Sequence, residues 1–180
     1  EADIYLSKKV TARAGVRIDH STLQEKAVPA PRLSLAYKTG DKSQLSFAYG
    51  QFVQQPQKEW LHNNKELDFE SSDHYILNYQ WSSNDRTLRG ELYRKQYDNL
   101  ILFQGDPRTG ITSLSNAGEG YAQGFDLFWR DRKTIKNADY WLSYSFLDTR
   151  RQYLNYPREA IPSFASSHNI SLVYKHFVPA

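Results

Sequence analysis

The sequence predicts an all-β fold: an antiparallel up-and-down transmembrane β-barrel segment of about nine strands, with short periplasmic turns and long extracellular loops. Three observations carry this. Polar and apolar side chains alternate with a period of two along most of the chain, short and long connections alternate, and the alternating runs have the length of a tilted membrane strand.

A truncated strand-like run opens at Ala2. Val10, Ala12, Ala14, Val16 and Ile18 then oppose Thr11, Arg13, Gly15, Arg17 and Asp19. Leu33, Leu35 and Tyr37 oppose Arg32, Ser34, Ala36 and Lys38, and Leu45, Phe47 and Tyr49 oppose Ser46, Ala48 and Gly50. Next, Tyr75, Leu77, Tyr79 and Trp81 oppose His74, Asn78 and Gln80, with Ile76 an exception. Leu88, Gly90 and Leu92 face away from Arg89 and Glu91, and Phe125, Leu127 and Trp129 away from Gly124, Asp126 and Arg130. Tyr140, Leu142, Tyr144 and Phe146 oppose Ser143, Ser145 and Thr149; Ile170, Leu172 and Tyr174 oppose Asn169, Ser171 and Lys175. No segment of comparable length has a helical period.

Short polar turns fall at residues 7–9, 40–43, 82–86 and 133–137, and long connections near 21–30, 54–68, 100–118 and 151–166. A membrane barrel keeps its short turns at the periplasmic end, whereas a soluble sandwich has no reason to do so. An apolar band crossed at about 45° needs roughly 9–11 residues per strand, and the runs match this. Two aromatic girdles are expected: Tyr37, Tyr79, Trp81, Trp129, Tyr140 and Phe177 near the short turns, and Phe52, Tyr97, Tyr121 and Phe146 near the long connections.

Composition fits. The chain has 180 residues, of which 39 % are apolar, and its mean hydropathy is −0.72. No run approaches the roughly 18 apolar residues of a membrane helix, but a barrel strand averages its two faces away. Aromatics reach 14 %, with 13 Tyr, a side chain suited to interfaces. Cys is absent, which excludes disulfides, thiolate nucleophiles and zinc fingers. Net charge is only +3 with Lys and Arg scattered, which argues against nucleic acid. The start within a strand-like pattern gives the expectation that residues 1–180 are part of one barrel domain, a fragment of a longer chain.

Several stretches resemble mid-barrel strands of TonB-dependent outer-membrane receptors. They are Ala30-Pro31-Arg32-Leu33-Ser34-Leu35-Ala36-Tyr37, Phe47-Ala48-Tyr49-Gly50-Gln51-Phe52, and Glu91-Leu92-Tyr93-Arg94-Lys95-Gln96-Tyr97-Asp98-Asn99-Leu100-Ile101. Asn116-Ala117-Gly118-Glu119-Gly120-Tyr121-Ala122-Gln123-Gly124-Phe125-Asp126-Leu127, Ser143-Tyr144-Ser145-Phe146-Leu147-Asp148-Thr149 and the stretch from Pro162 to Asn169 continue the pattern in order. The flavour is similar to receptors of Bacteroidetes-type bacteria. The resemblance implies a barrel of roughly 22 strands with an N-terminal plug domain. It also implies an outer-membrane lipid surround, contact with TonB through an N-terminal segment of the parent protein, and import of a nutrient ligand. Iron chelates, cobalamin and oligosaccharides all use this architecture in related proteins, so the ligand stays open.

Catalysis and cofactors are not expected. His20, His62, His74, His168 and His176 have no metal-ligand spacing. Gly118-Glu119-Gly120-Tyr121-Ala122-Gln123-Gly124 looks like a phosphate loop but leads into a strand, so glycines easing close strand approach are the better reading. Glu66 and Asp68, or Glu91 and Asp126, have no nucleophile in context. Arg13, Arg17, Arg32, Arg89, Glu91 and Asp126 are expected to face the lumen, with Asp3 and Asp19, as a charged lattice. Leu45, Phe47, Leu77, Leu142 and Leu172 are expected to face lipid. Trp60, His62, Arg108, Tyr153 and Arg158, in long connections, are the candidate ligand contacts, against the alternative that such aromatics pack loop on loop. A different outer-membrane barrel (an adhesin or passive channel) and a soluble all-β binding domain are the rival readings.

Overall fold

A computed structural model describes residues 1–106 and 110–178. Among these residues nine strands form one antiparallel sheet in chain order: β1 (Ala2–Tyr5), β2 (Val10–Ser21), β3 (Lys26–Gly40), β4 (Ser43–Gln54), β5 (Glu70–Ser83), β6 (Arg86–Asp106), β7 (Gly110–Asp131), β8 (Ala138–Gln152) and β9 (His168–His176). One short helix, α1 (Lys58–Asn63), interrupts the β4–β5 connection. Each strand pairs with its neighbours in sequence; β1 pairs only with β2, and β9 only with β8. Among the described residues the sheet is open at both edges.

Register joins the alternating runs into two continuous faces. Leu35 lies opposite Phe47, Phe47 opposite Leu77, Leu77 opposite Leu92, Leu92 opposite Phe125 and Phe125 opposite Phe146. Residues directly opposite share a face, so one apolar face runs across the sheet. It is uncovered: Leu77 is 40 % exposed and Leu172 68 %. A soluble sandwich would bury these residues under a second sheet; among the described residues there is none. The buried apolar cluster is instead Leu61, Leu67 and Ile101, at the end with the long connections.

Connection lengths depart from expectation at two places. Residues 21–30 are not a long loop: β2 and β3 pair up to Ser21 opposite Lys26. β3 carries Pro29 and Pro31. They fit because β3 meets β4 only from Arg32 onward, so this stretch is locally an edge, where proline is tolerated. Residues 100–118 are mostly ladder too, with pairing as far as Asp106 opposite Gly110. The β6–β7 hairpin therefore projects beyond its neighbours.

The short turns are locally encoded. In the β5–β6 hairpin Asn84 adopts φ +47°, a left-handed conformation that Asn accepts more readily than most residues. After β7, the Asp131 carboxylate accepts from Lys133 N (2.7 Å), Thr134 N (2.8 Å) and Thr134 Oγ1 (2.6 Å), and pairs with Arg86 Nε (3.0 Å). Burial alone would raise its pKa. The Thr134, Lys133 and Arg86 donors outweigh that and hold it well below the usual carboxylate range. A depressed folded-state pKa contributes stability that is fully present above pH about 4 and lost as pH falls below it. In urea unfolding of the full-length parent, Asp131→Asn is therefore expected to destabilise at pH 7, with the gap to wild type narrowing steadily in acid. A constant gap would show that the carboxylate charge is not what holds the turn.

Candidate functional site: the inner face at the outward end

Trp81, Trp129 and Tyr140 lie on the apolar face beside the short turns, with the Trp81 and Trp129 rings parallel at 6.3 Å. Counted from Trp81, roughly 9–11 membrane-crossing residues end between Ser71 and Asp73. The second girdle needs correction. Tyr121 and Phe146 lie on the apolar face, but Phe52 and Tyr97 share register with Gly50 and Lys95 on the polar one. They belong to a site on that polar face.

The six charged residues expected in the lumen all lie on the polar face, and the five apolar residues expected toward lipid all lie on the other. Arg13 pairs with Asp3 at 2.6 Å and Arg17 with Asp19 at 2.7 Å. Asn78 Nδ2 donates to Glu91 at 3.2 Å, while Arg89, Glu91 and Asp126 line a shared hollow. Arg32 is different: its guanidinium lies over Phe52 at 4.7 Å, and Phe52 in turn packs on His74 at 4.4 Å.

Above the crossing segment a cavity of about 520 Å³ opens between the sheet and its connections. Its walls include Phe52, Trp60, Glu70, Tyr97, Arg151 and Tyr153. The Arg151 guanidinium reaches across Gly120 of β7 and sits 4.1 Å from the Tyr97 ring centre. Glu70 Oε1 accepts from Ile101 N at 3.1 Å. Burial pushes the Glu70 carboxyl up from its ordinary pKa, against that hydrogen bond.

The connections that roof this cavity are tied together. Trp60 stacks on Phe103 at 5.1 Å, and Leu61 is fully buried against Leu67 and Ile101. Asn116 Nδ2 donates to both Asp68 O (3.1 Å) and Asn99 O (2.9 Å), and its Oδ1 accepts from Asp68 N at 2.7 Å. Lys26 Nζ pairs with Asp68 at 2.8 Å. The β8–β9 connection folds back so that Phe103 N donates to Leu154 O at 2.8 Å.

Of the expected ligand contacts, Trp60 and Tyr153 therefore share one cavity, and both are half-buried. Tyr153 packs edge-on against Tyr156 at 5.0 Å. His62 and Arg158 are exposed and are not part of the cavity wall. Arg108 lies outside the described residues. Sequence reasoning missed Glu70, Tyr97, Arg151 and Asn116. The two-residue period was the available signal for Tyr97 and Arg151, since it sets both on the polar face.

An open sheet with one uncovered apolar face, aromatic residues ringing that face at the short-turn end, and a polar inner wall is part of an outer-membrane β-barrel. The chain belongs to the TonB dependent receptor-like β-barrel family, whose model matches residues 1–178. It is thus part of a receptor barrel of the bacterial outer membrane rather than an enzyme. Among functionally curated proteins none matches. Among solved structures it is similar to the alcaligin outer-membrane receptor FauA from Bordetella pertussis, with 16 % identity and a TM-score of 0.73 over 99 % of this chain and 33 % of that one. It is also similar to the siderophore receptor PirA from Pseudomonas aeruginosa (15 %, 0.71, 83 % and 31 %) and to the ferric-catecholate import receptor Fiu from Escherichia coli K12 (10 %, 0.70, 97 % and 30 %). The chain spans about a third of the length of these structures, and at such identities the likeness is one of fold.

Proposed function

We propose that this chain is a stretch of wall in a TonB-dependent transporter that binds a nutrient ligand at its outward end and imports it. In this reading residues 1–180 belong to one barrel domain whose remaining strands, and a plug, lie elsewhere in the parent protein. The apolar face, with Leu45, Phe47, Leu77, Leu142 and Leu172, meets outer-membrane lipid. The polar face, with Arg13, Arg17, Arg32, Arg89, Glu91 and Asp126, lines the lumen and meets the plug. Ligand capture falls to the outward cavity bounded by Trp60 and Tyr153, and TonB is engaged by the parent's N-terminal segment.

The observation that carries this is the opposition of the two faces over the whole sheet. Exposed apolar area on this scale needs a nonpolar solvent. The polar face is lined with charge yet carries a sizeable aromatic cavity at one end. Two open edges in hydrocarbon would each leave backbone groups unpaired at several kcal/mol apiece, so other strands of the parent must complete the wall.

The test is energy dependence. Cells carrying or lacking the full-length parent are grown on single sources of chelated iron, cobalamin or oligosaccharide. Growth that needs the parent and is lost on deleting TonB is expected. Parent-dependent growth that persists without TonB would instead indicate a passive channel.

A further inference from the structure

The inner wall at the outward end holds two matching constructions. On β3, Arg32 lies opposite Gly50 and stacks on Phe52 at 4.7 Å; on β8, Arg151 lies opposite Gly120 and stacks on Tyr97 at 4.1 Å. In each, a glycine clears the path to the ring. A Cβ on Gly120 would meet Arg151 Cγ at 2.8 Å, and one on Gly50 the Phe52 ring at 3.1 Å. Phe52 borders both the 520 Å³ cavity and a neighbouring one of about 210 Å³ that Arg32 lines, so the two constructions belong to one arc. Between them Lys95, opposite His74, lies 5.6 Å from the Tyr93 ring.

Among the described residues Arg32, Lys95 and Arg151 have no carboxylate within salt-bridge distance, as is also true of Arg89 and Lys175 on the same face, whereas Arg13, Arg17 and Arg130 each do. What sets Arg32 and Arg151 apart is an unpartnered buried donor beside a cavity. The Nε atoms of Arg32 and Arg151 are buried and have no acceptor. A guanidinium over an aromatic ring gains cation–π attraction without losing its N–H donors, which can bind carboxylate or phosphate two-pronged. Two carboxyls border the arc. Glu1 stands at the rim of the smaller cavity, and Glu70 lines the larger, where burial favours its neutral form.

We propose that this arc, Arg32 on Phe52 and Arg151 on Tyr97, receives the anionic groups of a ligand whose body is flat or apolar. The inference rests on the transporter reading and deepens it, naming the ligand chemistry of the outward cavity. An arriving carboxylate or phosphate pairs with the two guanidiniums that have no carboxylate partner, and the aromatic walls cover the body. Within the low-dielectric arc, unpaired positive charge raises the local concentration of anions over cations.

Charge-selective thiol labelling tests it in intact cells expressing the full-length parent. The chain has no Cys, so Gln54→Cys places a thiol on the cavity wall and Thr22→Cys places one in the exposed β2–β3 turn as a control. Each is treated from outside with an anionic reagent, sulfonatoethyl methanethiosulfonate, and a cationic one, trimethylammonioethyl methanethiosulfonate. The ratio of the two rates cancels differences in thiolate fraction. The anion-to-cation ratio at Gln54→Cys is expected to exceed that at Thr22→Cys by roughly tenfold. Adding Arg32→Met or Arg151→Met should lower it several-fold, Arg151→Lys should retain it, and about 0.5 M salt should collapse it without any substitution. Equal ratios at the two positions, or ratios indifferent to both methionine variants, overturn the proposal while leaving the transporter reading intact. No labelling at Gln54→Cys by either reagent means that the cavity is closed to the outside, and both fall.

Discussion

Arginine at Leu77 is expected to destabilise the assembled barrel by about 2–4 kcal/mol, and arginine at the adjacent Asn78 by far less. Leu77 lies four residues from Trp81 along β5, close to the middle of the crossing segment, and pairs with Phe47 and Leu92 on the exposed apolar face. A guanidinium there cannot reach water without distorting the bilayer. Asn78 points to the other face, where its side chain already donates to Glu91, so a cation would find a carboxylate partner. The penalty also depends on depth. Leu142 pairs with Trp129, level with the aromatic belt, and Leu142→Arg is expected to cost only about 0–1 kcal/mol. Refolding of the parent into bilayers across a denaturant series measures all three. Equal costs at Leu77 and Asn78 would remove the assignment of the faces.

Valine at Gly124 is expected to cost at least about 1–3 kcal/mol, the range for overpacking, and to reduce assembled protein sharply. A Cβ on Gly124 would overlap the Phe146 carbonyl oxygen of β8 and come within 2.7 Å of the Tyr93 hydroxyl from β6. Neither contact is easily relieved. One is backbone in a paired strand, and the other is the end of a ring held opposite Gly124 in register. Gly118 and Gly120 are similar: a Cβ on either would lie 2.6 Å from a carbonyl oxygen of β8. By contrast, Gly90→Ala should be tolerated, since its nearest new contact is the Leu127 side chain at 3.5 Å. Heat-modifiable migration of the folded barrel on gels compares the two. Normal assembly of Gly124→Val would contradict the close approach of these strands.

The glycine run shows where sequence reasoning succeeded. A Gly-rich stretch leading into a strand offers no helix N-terminus, and the structure uses those glycines for strand proximity and for the passage of Arg151 to Tyr97. The strands and their faces were legible because a two-residue period is a local property. Height along a strand was less so. Phe52 and Tyr97 were set in a girdle by their distance from the turns, although each shares its parity with residues of the polar face. Residues 26–30 read as loop although they pair with β2, because the point where β3 stops meeting β4 is set by register between strands and has no local signature. The site itself depended on contacts distant in sequence. Asn116 ties Asp68 to Asn99, Leu61 meets Ile101, and Arg151 meets Tyr97 across an intervening strand. None of these has a local signature. Trp60 and Tyr153 were recognisable as loop aromatics; that they share one cavity was not.

The central claim is that the two faces of this sheet meet different media, and depth-resolved spin labelling tests it most directly. Nitroxides are placed singly at residues 75–80 of the full-length parent in bilayers, and collision rates are measured with oxygen, which concentrates in lipid, and with a water-soluble nickel chelate. A period of two is predicted. Oxygen contact should be high at Tyr75, Leu77 and Tyr79, with nickel contact or burial at Ile76, Asn78 and Gln80. Accessibilities that vary smoothly along these residues, or oxygen maxima at the even positions, would contradict the account.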